Sequence, residues 1–511
     1  MNRRAEILVV GGGPTGLSMS LQAHAHGARV GVVERRQEVS RPSRALILHP
    51  RTLEVLRPLG VTEALLAQAD PELEALVYLG HRSVSVRLAK LSMPDTAFPH
   101  LSLARQTDVE RVLADACEER GIKVERGTEL IDVKNDQDCA LATLRSAEGT
   151  KRTEFDFVVG CDGQESTVRR RAGISWPGAA YAEEAVLADA ELDGNLASNV
   201  AHVAVGPHGL LFVFAHGEHA AWRLLATRQA RAGSFPFGDP GPAITQAELQ
   251  TLIYDAGLDA RITDLVWSAR YRLQHRLAEH FREGRLYVAG DAAHAHSPAT
   301  GQGMNTGIQD AINLGWKLAL SSSSSNPEAL LQSYELERRP VARRLLALTH
   351  LAFLAEASSN SLLSLLRGVL APLGAPMVPI LTGHRALVTE VIRIVSQWRM
   401  NYASSALSAE GMPHLAEWPR SGNRLPDREV TCEGRVIRLH TLLARPGIHI
   451  LLSQDVTRVQ HLPFSAGVTI HRLTDIPGTG VVAVRPDGYI GFRCGVFDEA
   501  QLRTWLALVG S

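Results

Sequence analysis

The chain has 511 residues, 45% of them hydrophobic and 21% charged. Those are ordinary values for globular protein; they exclude a disordered, collagen-like or coiled-coil chain and, at ~150 residues per domain, fit about three domains or one large one with additions. The 53 Lys+Arg against 54 Asp+Glu leave a net charge of −1, without the basic excess of a nucleic-acid binder, and 5% aromatic residues is thin for a base-stacking surface.

Cysteines are sparse and scattered, at Cys117, Cys139, Cys161, Cys432 and Cys494. No two form a CxxC or zinc spacing, so no metal site is expected, and the usage fits a reducing cytoplasm. The apolar run Ile7–Val10 breaks at Gly11–Gly13, too early for a signal-peptide core. The stretch from Ser361 to Leu381 is interrupted by Arg367, Pro372, Pro376 and Pro379, whereas a membrane span needs roughly 20 uninterrupted apolar residues.

In chain order, Ile7–Val10 predicts a buried parallel strand, followed by Gly11-Gly12-Gly13-Pro14-Thr15-Gly16 and a helix to about Ala25 that ends at Gly27. Arg29–Val33 predicts the second strand, with Glu34 at its end. A second helix is expected from Pro50 to Leu59, and another opens at Thr107-Asp108-Val109-Glu110, a capping-box pattern. Strand-like runs follow to Phe155–Val159, then a β-rich stretch to about Ala226 that includes Val200–Val205 and Leu210–Phe214. Leu286–Ala289 is another short buried strand. A long helix is expected from about Met304 to Leu320, ending in the serine run Ser321–Ser325. Residues 327 to about 400 read as helical with proline breaks; Arg338 and Arg339 read there as a salt-bridged helix face. From Val436 strands return, after a boundary near 405–425 where Gly411, Pro413, Pro419, Gly422 and Pro426 cluster.

The glycine motif sits where its chemistry requires, after a strand and opening a helix, with an acidic residue 18 positions past its last glycine. Gly11 permits the tight turn, Gly13 lets a pyrophosphate approach the backbone and Gly16 lets helix and strand pack closely. The helix start at Pro14 and Thr15 offers free N–H groups and a positive dipole end to the phosphates, and Glu34 would accept from the adenosine ribose. Two further motifs follow predicted strands: Gly160-Cys161-Asp162-Gly163, and Gly290-Asp291-Ala292-Ala293-His294 continuing to Ser297-Pro298-Ala299-Thr300-Gly301-Gln302-Gly303-Met304-Asn305.

In this order and spacing the three motifs resemble those of the single-component FAD-dependent aromatic hydroxylases, with a para-hydroxybenzoate hydroxylase fold, in the phenol-hydroxylase-like and polyketide-hydroxylase branch. The resemblance covers nearly the whole chain. It implies an α/β fold: a Rossmann-like FAD-binding domain, an inserted β-sheet substrate domain and a thioredoxin-like C-terminal domain. The implied domains are 1–175 (FAD-binding, first part, with part of the substrate-side sheet around 76–100), 176–280 (β-rich substrate domain), 281–405 (FAD-binding, second part, and helical region) and 420–511. The run Val484-Arg485-Pro486-Asp487-Gly488-Tyr489-Ile490-Gly491-Phe492-Arg493 carries the resemblance of the last domain, which lacks CxxC and reads as structural.

Carried over position by position, the resemblance assigns Gly11, Gly13, Gly16, Glu34 and Arg35 to the pyrophosphate and ribose end. Arg44 lies along the FAD, Gln106 contacts the flavin side, Asp162 serves FAD and NAD(P)H binding, and Asp291 holds the ribityl chain. Pro298 and Gly301 belong to the flavin loop, and Gly303, Met304 and Asn305 face the flavin pyrimidine ring. Reduced flavin is anionic over N1 and the C2 carbonyl, so a helix N-terminus there is electrostatically apt. Thr300 departs from the family's Pro-x-Gly-Gly-Gln-Gly, and a threonine is costly if its position needs positive φ. His294 and His296 lack a third metal ligand, and His294 reads as part of a structural loop. Cys161 reads as a small residue packed after a strand.

The activity implied is NADPH- or NADH-dependent monooxygenation of a phenolic or polyketide-like aromatic substrate with O₂ through a C4a-hydroperoxyflavin. No nucleic acid or membrane partner is expected, and a homodimer is compatible with the sequence. The substrate is expected between the flavin and the segment 175–280. A catalytic base is not identified: His202, His208, His216, His219 and Tyr271 are candidates by segment only. The alternatives are a flavin oxidoreductase without oxygen insertion and a non-catalytic FAD-binding protein. A halogenase would want Trp-x-Trp, and none of the seven tryptophans has one two residues away.

Overall fold

Ile7, Leu8, Val9 and Val10 are all buried, as a strand flanked on both sides must be. In this computed structural model, which describes residues 6–38, 47–70, 74–79, 82–87, 93–206, 209–215, 219–230, 235–297, 301–357, 385–416, 418–456 and 467–511, they form the strand Glu6–Val10. It lies inside a six-stranded sheet, between Phe157–Gly160 and Arg29–Glu34, parallel to both. Leu286–Val288 pairs parallel with Phe157–Gly160 on one side, and Val124–Arg126 extends the sheet beyond Arg29–Glu34 on the other. The strands that precede the three motifs are therefore neighbours, and their carboxyl ends bring Gly11, Asp162 and Asp291 to one edge. Open parallel sheets bind ligands there.

The helices are labelled α1 (Pro14–Ala25), α2 (Pro50–Leu56), α3 (Gln106–Glu119), α4 (Gly303–Leu320), α5 (Pro327–Ala357), α6 (Arg385–Val395) and α7 (Glu499–Leu508). α1 and α4 pack on each other through small residues: a Cβ on Gly315 would lie 2.9 Å from Gln22, and one on Gly307 would lie 2.3 Å from Thr15 Oγ1. Glycine at these positions lets two helix backbones approach. α4 is buried nearly throughout, which explains its apolar surroundings at Ile308, Ile312, Leu314 and Leu318.

The expected capping box at Thr107 does not form. The helix begins one residue earlier, at Gln106, without a side-chain cap, and Asp108 instead pairs with Arg105 (2.8 Å) and Arg111 (2.9 Å). The salt bridge expected of Arg338 forms, but it points inward. Its side chain is 1% exposed and ion-paired to Asp310, because Tyr334, Arg338 and Val341 form the inward stripe of α5. Pro340 is accommodated inside α5 rather than ending it.

An eight-stranded sheet stands over the carboxyl edge. Its order is His294–Ala295, Ala260–Leu277, Gly178–Gly194, Trp222–Gln229, Gly209–Phe214, Val200–Gly206, Glu74–Leu79, Arg82–Arg87. The early strands 74–79 and 82–87 thus join strands over 100 residues later. Alternation along these strands points Ala185, Leu187, Ala201, Val203, Phe212, Phe214 and Leu225 toward the six-stranded sheet.

The C-terminal part is a seven-stranded mixed sheet, with α7 against it through Leu502, Trp505 and Leu506. Its edge strand Ala409–Glu410 pairs with Ile490–Cys494 ahead of the expected start at 420. All five cysteines are free. Among the described residues no helix is long and apolar enough to cross a membrane.

Candidate active site

A cavity of ≈570 Å³ opens between the carboxyl edge and the eight-stranded sheet. At one end its wall is Gly11, Gly12, Gly13, Pro14, Thr15, Glu34 and Arg35; further along come Gln106, Asp162 and Asp291, then Gly301, Gln302, Gly303 and Met304. The opposite wall is apolar, made by Ala75, Leu103, Ala185, Leu187, Phe214 and Leu225 with Tyr271. Polar recognition along one side and an apolar wall on the other is the arrangement of a small-molecule site.

The geometry of the glycine turn fits a dinucleotide. Gly11 has φ +111°, and a Cβ there would sit 2.3 Å from the Cys161 carbonyl oxygen, so only glycine is accommodated. A Cβ on Gly16 would sit 1.9 Å from the Gly11 carbonyl oxygen, which fixes the helix tightly on the turn. Gly13 differs: its φ of −82° suits any residue, and a Cβ would meet nothing within 4 Å. The space in front of Gly13 is the cavity itself. α1 has no side-chain cap and no acidic residue in its first turn, so its orphan N–H groups and dipole face that space. Glu34 is oriented by two backbone donors, Gly12 N (2.8 Å) and Arg36 N (2.9 Å). Arg35 reaches Asp239 at 3.4 Å across the cavity mouth.

The second motif is partly committed to its own chain. One oxygen of Asp162 accepts from Thr167 N (2.7 Å) and Val168 N (3.2 Å), capping the helix Thr167–Arg171. Its other oxygen is buried without a partner, and burial pushes the carboxyl up. Such an orphan beside the cavity suits a hydroxyl-rich ligand. Asp291 lies in the turn Gly290–Ala292 and accepts a long hydrogen bond from Gln164 Nε2 (3.5 Å), which leaves the carboxylate available to a ligand. Gln106 lines the cavity and donates to Glu110 (2.7 Å).

The third motif divides. Gly301 (φ +61°), Gly303 and Met304 line the cavity. Asn305 does not: its side-chain oxygen accepts from His49 N (2.9 Å) and Thr52 Oγ1 (2.7 Å), and its nitrogen donates to the carbonyls of Ile47 (2.8 Å) and Gly301 (2.9 Å). All its capacity goes into tying the start of α4 to α2, so a ligand meets the helix end and not this side chain. Arg44, Pro298 and Thr300 lie outside the described residues, as do His208 and His216.

Of the remaining base candidates, His202 faces away from the cavity. Its Nε2 donates to the Ala197 carbonyl (3.0 Å), its Nδ1 meets the Tyr78 hydroxyl (2.9 Å), and burial pushes its pKa down. His219 lines a separate solvent-facing groove along α3. Tyr271 alone of this set lines the cavity. Among the described residues no metal-binding group of His, Cys, Asp or Glu occurs. Cys161 is held as a thiol: burial pushes it well up, and Asp162 adds to the effect. Sequence reading missed Gln164, which directly follows the second motif, and Arg272 and Asp239, which line the cavity from a strand and a loop that carry no motif.

Comparison with known proteins gives the same direction. The family model described as "FAD binding domain" matches residues 4–349. The chain is 31% identical to the 12-dehydrotetracycline 5-monooxygenase/anhydrotetracycline 6-monooxygenase of Streptomyces rimosus, over 98% of this chain and 99% of that one. Among solved structures, an aromatic hydroxylase from angucycline biosynthesis superposes with a TM-score of 0.78 at 26% identity, covering 99% of both chains. The Diels-Alderase of the pyrroindomycin biosynthetic pathway superposes with a TM-score of 0.76 at 26% identity, covering 98% of this chain and 99% of that one.

Proposed function

The chain belongs to the FAD-binding domain family and is an FAD-dependent aromatic monooxygenase using NAD(P)H; from that premise we propose that it hydroxylates a polycyclic, polyketide-like aromatic, with flavin and substrate bound along the cleft between the two sheets. The observation that carries this reading is a single cavity lined by the glycine turn, Asp291, the first turn of α4 and an apolar sheet face. Bound FAD supplies hydride acceptance from NAD(P)H and activation of O₂ for transfer of one oxygen atom to an aromatic ring.

The chain's residues bind and orient. Gly13 and the first turn of α1 receive the pyrophosphate, Glu34 the adenosine ribose and Asp291 the ribityl hydroxyls; Asp162 offers its free oxygen nearby. The N–H groups of α4 at Gly303 and Met304, which line the cavity, would face the flavin's pyrimidine edge and there would stabilise negative charge. Ala185, Leu187, Phe214 and Leu225 exclude water from the reacting ring. Three alanines in this wall, Ala75, Ala185 and Ala201, leave room for a broad flat substrate rather than a single ring. The C-terminal sheet, proposed here as thioredoxin-like, has free and separated cysteines and acts structurally.

The test is incubation with NADPH and ¹⁸O₂ across single-ring phenols and polycyclic aromatics. One labelled oxygen in a polycyclic product is expected. The similarity to a Diels-Alderase gives a second reading, ring chemistry without oxygen insertion; an unlabelled product of unchanged mass and with no NADPH consumed would favour it over the hydroxylase.

A further inference from the structure

One wholly enclosed carboxylate lies behind the cavity wall rather than in it. Asp310 lies two turns into α4 and is fully buried. One of its oxygens accepts from Gly290 N (3.1 Å) and from His294 Nε2 (2.7 Å), and the other accepts from Arg338 Nε (2.7 Å). Gly290 and His294 bracket Asp291. Arg338, on α5, gives a further nitrogen to the Tyr402 hydroxyl (2.9 Å). Burial pushes the Asp310 carboxyl up, but Arg338 and His294 outweigh it and hold the group below its usual range, hence ionised.

The turn's other anchors run away from α4. Ala289 N donates to the Gly160 carbonyl (3.0 Å), Ala278 N to the Ala293 carbonyl (2.7 Å), and Arg169 to the Ala292 carbonyl (2.7 Å). Where turn, α4 and α1 meet, there is almost no side chain: a Cβ on Gly307 would sit 3.3 Å from Gly290 Cα, and one on Gly290 would sit 2.7 Å from Thr15 Oγ1. Smooth backbone contacts of this kind do not set a register. The bonds to Asp310 do.

We propose that Asp310 is a positioning residue for the flavin site, clamping the 290–294 turn to α4 so that Asp291 and the helix end at Gly303–Met304 stand at one fixed separation. The proposal rests on the reading of Asp291 as the ribityl contact. A carboxylate is needed because three donors converge from two sides. An amide has one acceptor oxygen, so Asp310→Asn turns its NH₂ toward either Arg338 or the Gly290/His294 pair and leaves a buried donor unmatched.

The test compares FAD affinity, by fluorescence titration of apoprotein, with the visible circular dichroism of the bound flavin. Asp310→Asn is expected to weaken FAD binding at least tenfold and to change the flavin's dichroic bands. Tyr402→Phe loosens the same cluster one residue further out; it is expected to lower thermal stability while leaving affinity within twofold and the bands unchanged. If Asp310→Asn does not fold, His294→Phe decides, since it removes one clamp donor and keeps the ring that contacts Phe281; a three- to tenfold loss with altered bands is expected. Wild-type affinity and bands in a folded Asp310→Asn, or failing that in His294→Phe, would overturn the proposal, as would equal loss of affinity in Tyr402→Phe. Asp291→Ala run alongside keeps the two readings apart: if it retains FAD, the ribityl assignment fails, and if it loses FAD while the clamp variants do not, only the clamp fails.

Discussion

Gly13→Ala separates binding from folding at one atom. At φ −82° and ψ −178° the backbone is extended and alanine adopts it without strain. Nothing lies within 4 Å of the added Cβ. The variant therefore folds as well as the parent, and replacing a glycine stabilises by about 0.4–1 kcal/mol through the unfolded chain. The methyl group occupies the space where the pyrophosphate meets the first turn of α1. A phosphate pushed back from these N–H groups loses at least one charge-assisted hydrogen bond of about 1.5–3 kcal/mol, or ~10–150-fold in affinity. The assay is FAD titration of apoprotein by fluorescence quenching, with thermal melting of the apoprotein beside it. The expected pattern is an unchanged or raised melting temperature and an affinity at least tenfold weaker. Gly16→Ala is the contrast: its Cβ meets the Gly11 carbonyl oxygen at 1.9 Å, so both stability and affinity fall. If Gly13→Ala binds FAD within twofold of the parent, the pyrophosphate does not lie over Gly13 and the assignment of this end of the cavity is wrong.

Asp291→Ala should purify folded and colourless, with FAD affinity down about a hundredfold from two lost carboxylate–hydroxyl bonds; stoichiometric yellow cofactor in the variant would show that the ribityl chain lies elsewhere. Asp189 and Arg223 form a bidentate pair (2.7 and 2.8 Å) with both side chains wholly buried. Asp189→Ala should cost about 3–5 kcal/mol in denaturant unfolding, and the double variant Asp189→Leu/Arg223→Met should recover most of it, because an unpaired buried charge costs more than an apolar pair; a double variant no better than the single one refutes this. Burial pushes Glu54 up, but Arg424 and Arg51 overcome it and take its pKa from an ordinary 4.5 down to about 2. A depressed carboxyl gives stability that is complete above 4.5 and lost as pH falls through about 2, here about 3 kcal/mol. Melting temperature against pH should fall less steeply below 4.5 in Glu54→Gln than in the parent; parallel curves would remove Glu54 from the acid response.

The parts of the fold legible in the sequence are those governed by local rules. Ile7–Val10, Arg29–Glu34 and Leu286–Val288 are short, apolar and followed by glycine or acid, and they appear as strands within a residue or two of expectation. The helix expected from Met304 to Leu320 begins one residue sooner, at Gly303. The error at Thr107 has a physical origin. Thr-x-x-Glu is a capping pattern only if the threonine stands outside the helix, and Asp108, bridged to arginines on both sides, stabilises a start one residue earlier. Partner choice among strands was less visible. Glu74–Leu79 joins Val200–Gly206 because both present small or apolar residues to one cavity, a match that no local pattern announces.

The same division runs through the site. Gly11, Gly13, Glu34, Asp162 and Asp291 stand out in the sequence because backbone geometry and phosphate chemistry demand particular residue types at fixed spacing, and all five line one cavity. Asn305 sits in the motif yet serves it indirectly, holding α4 to α2 with every bond it can make. Arg338 reads from the sequence as salt-bridged, but its partner could not be picked out there, because Asp310 is on another helix, 28 residues away in sequence. Asp310 carries no motif of its own. Its one local signal is its place seven residues past Gly303, on the stripe of α4 that carries Thr306 and Asn313 inward with it. A buried carboxylate on such a stripe must find donors. Here they come from the turn that carries Asp291, so the residue that reads as a lapse in an apolar helix joins the two halves of the cofactor site.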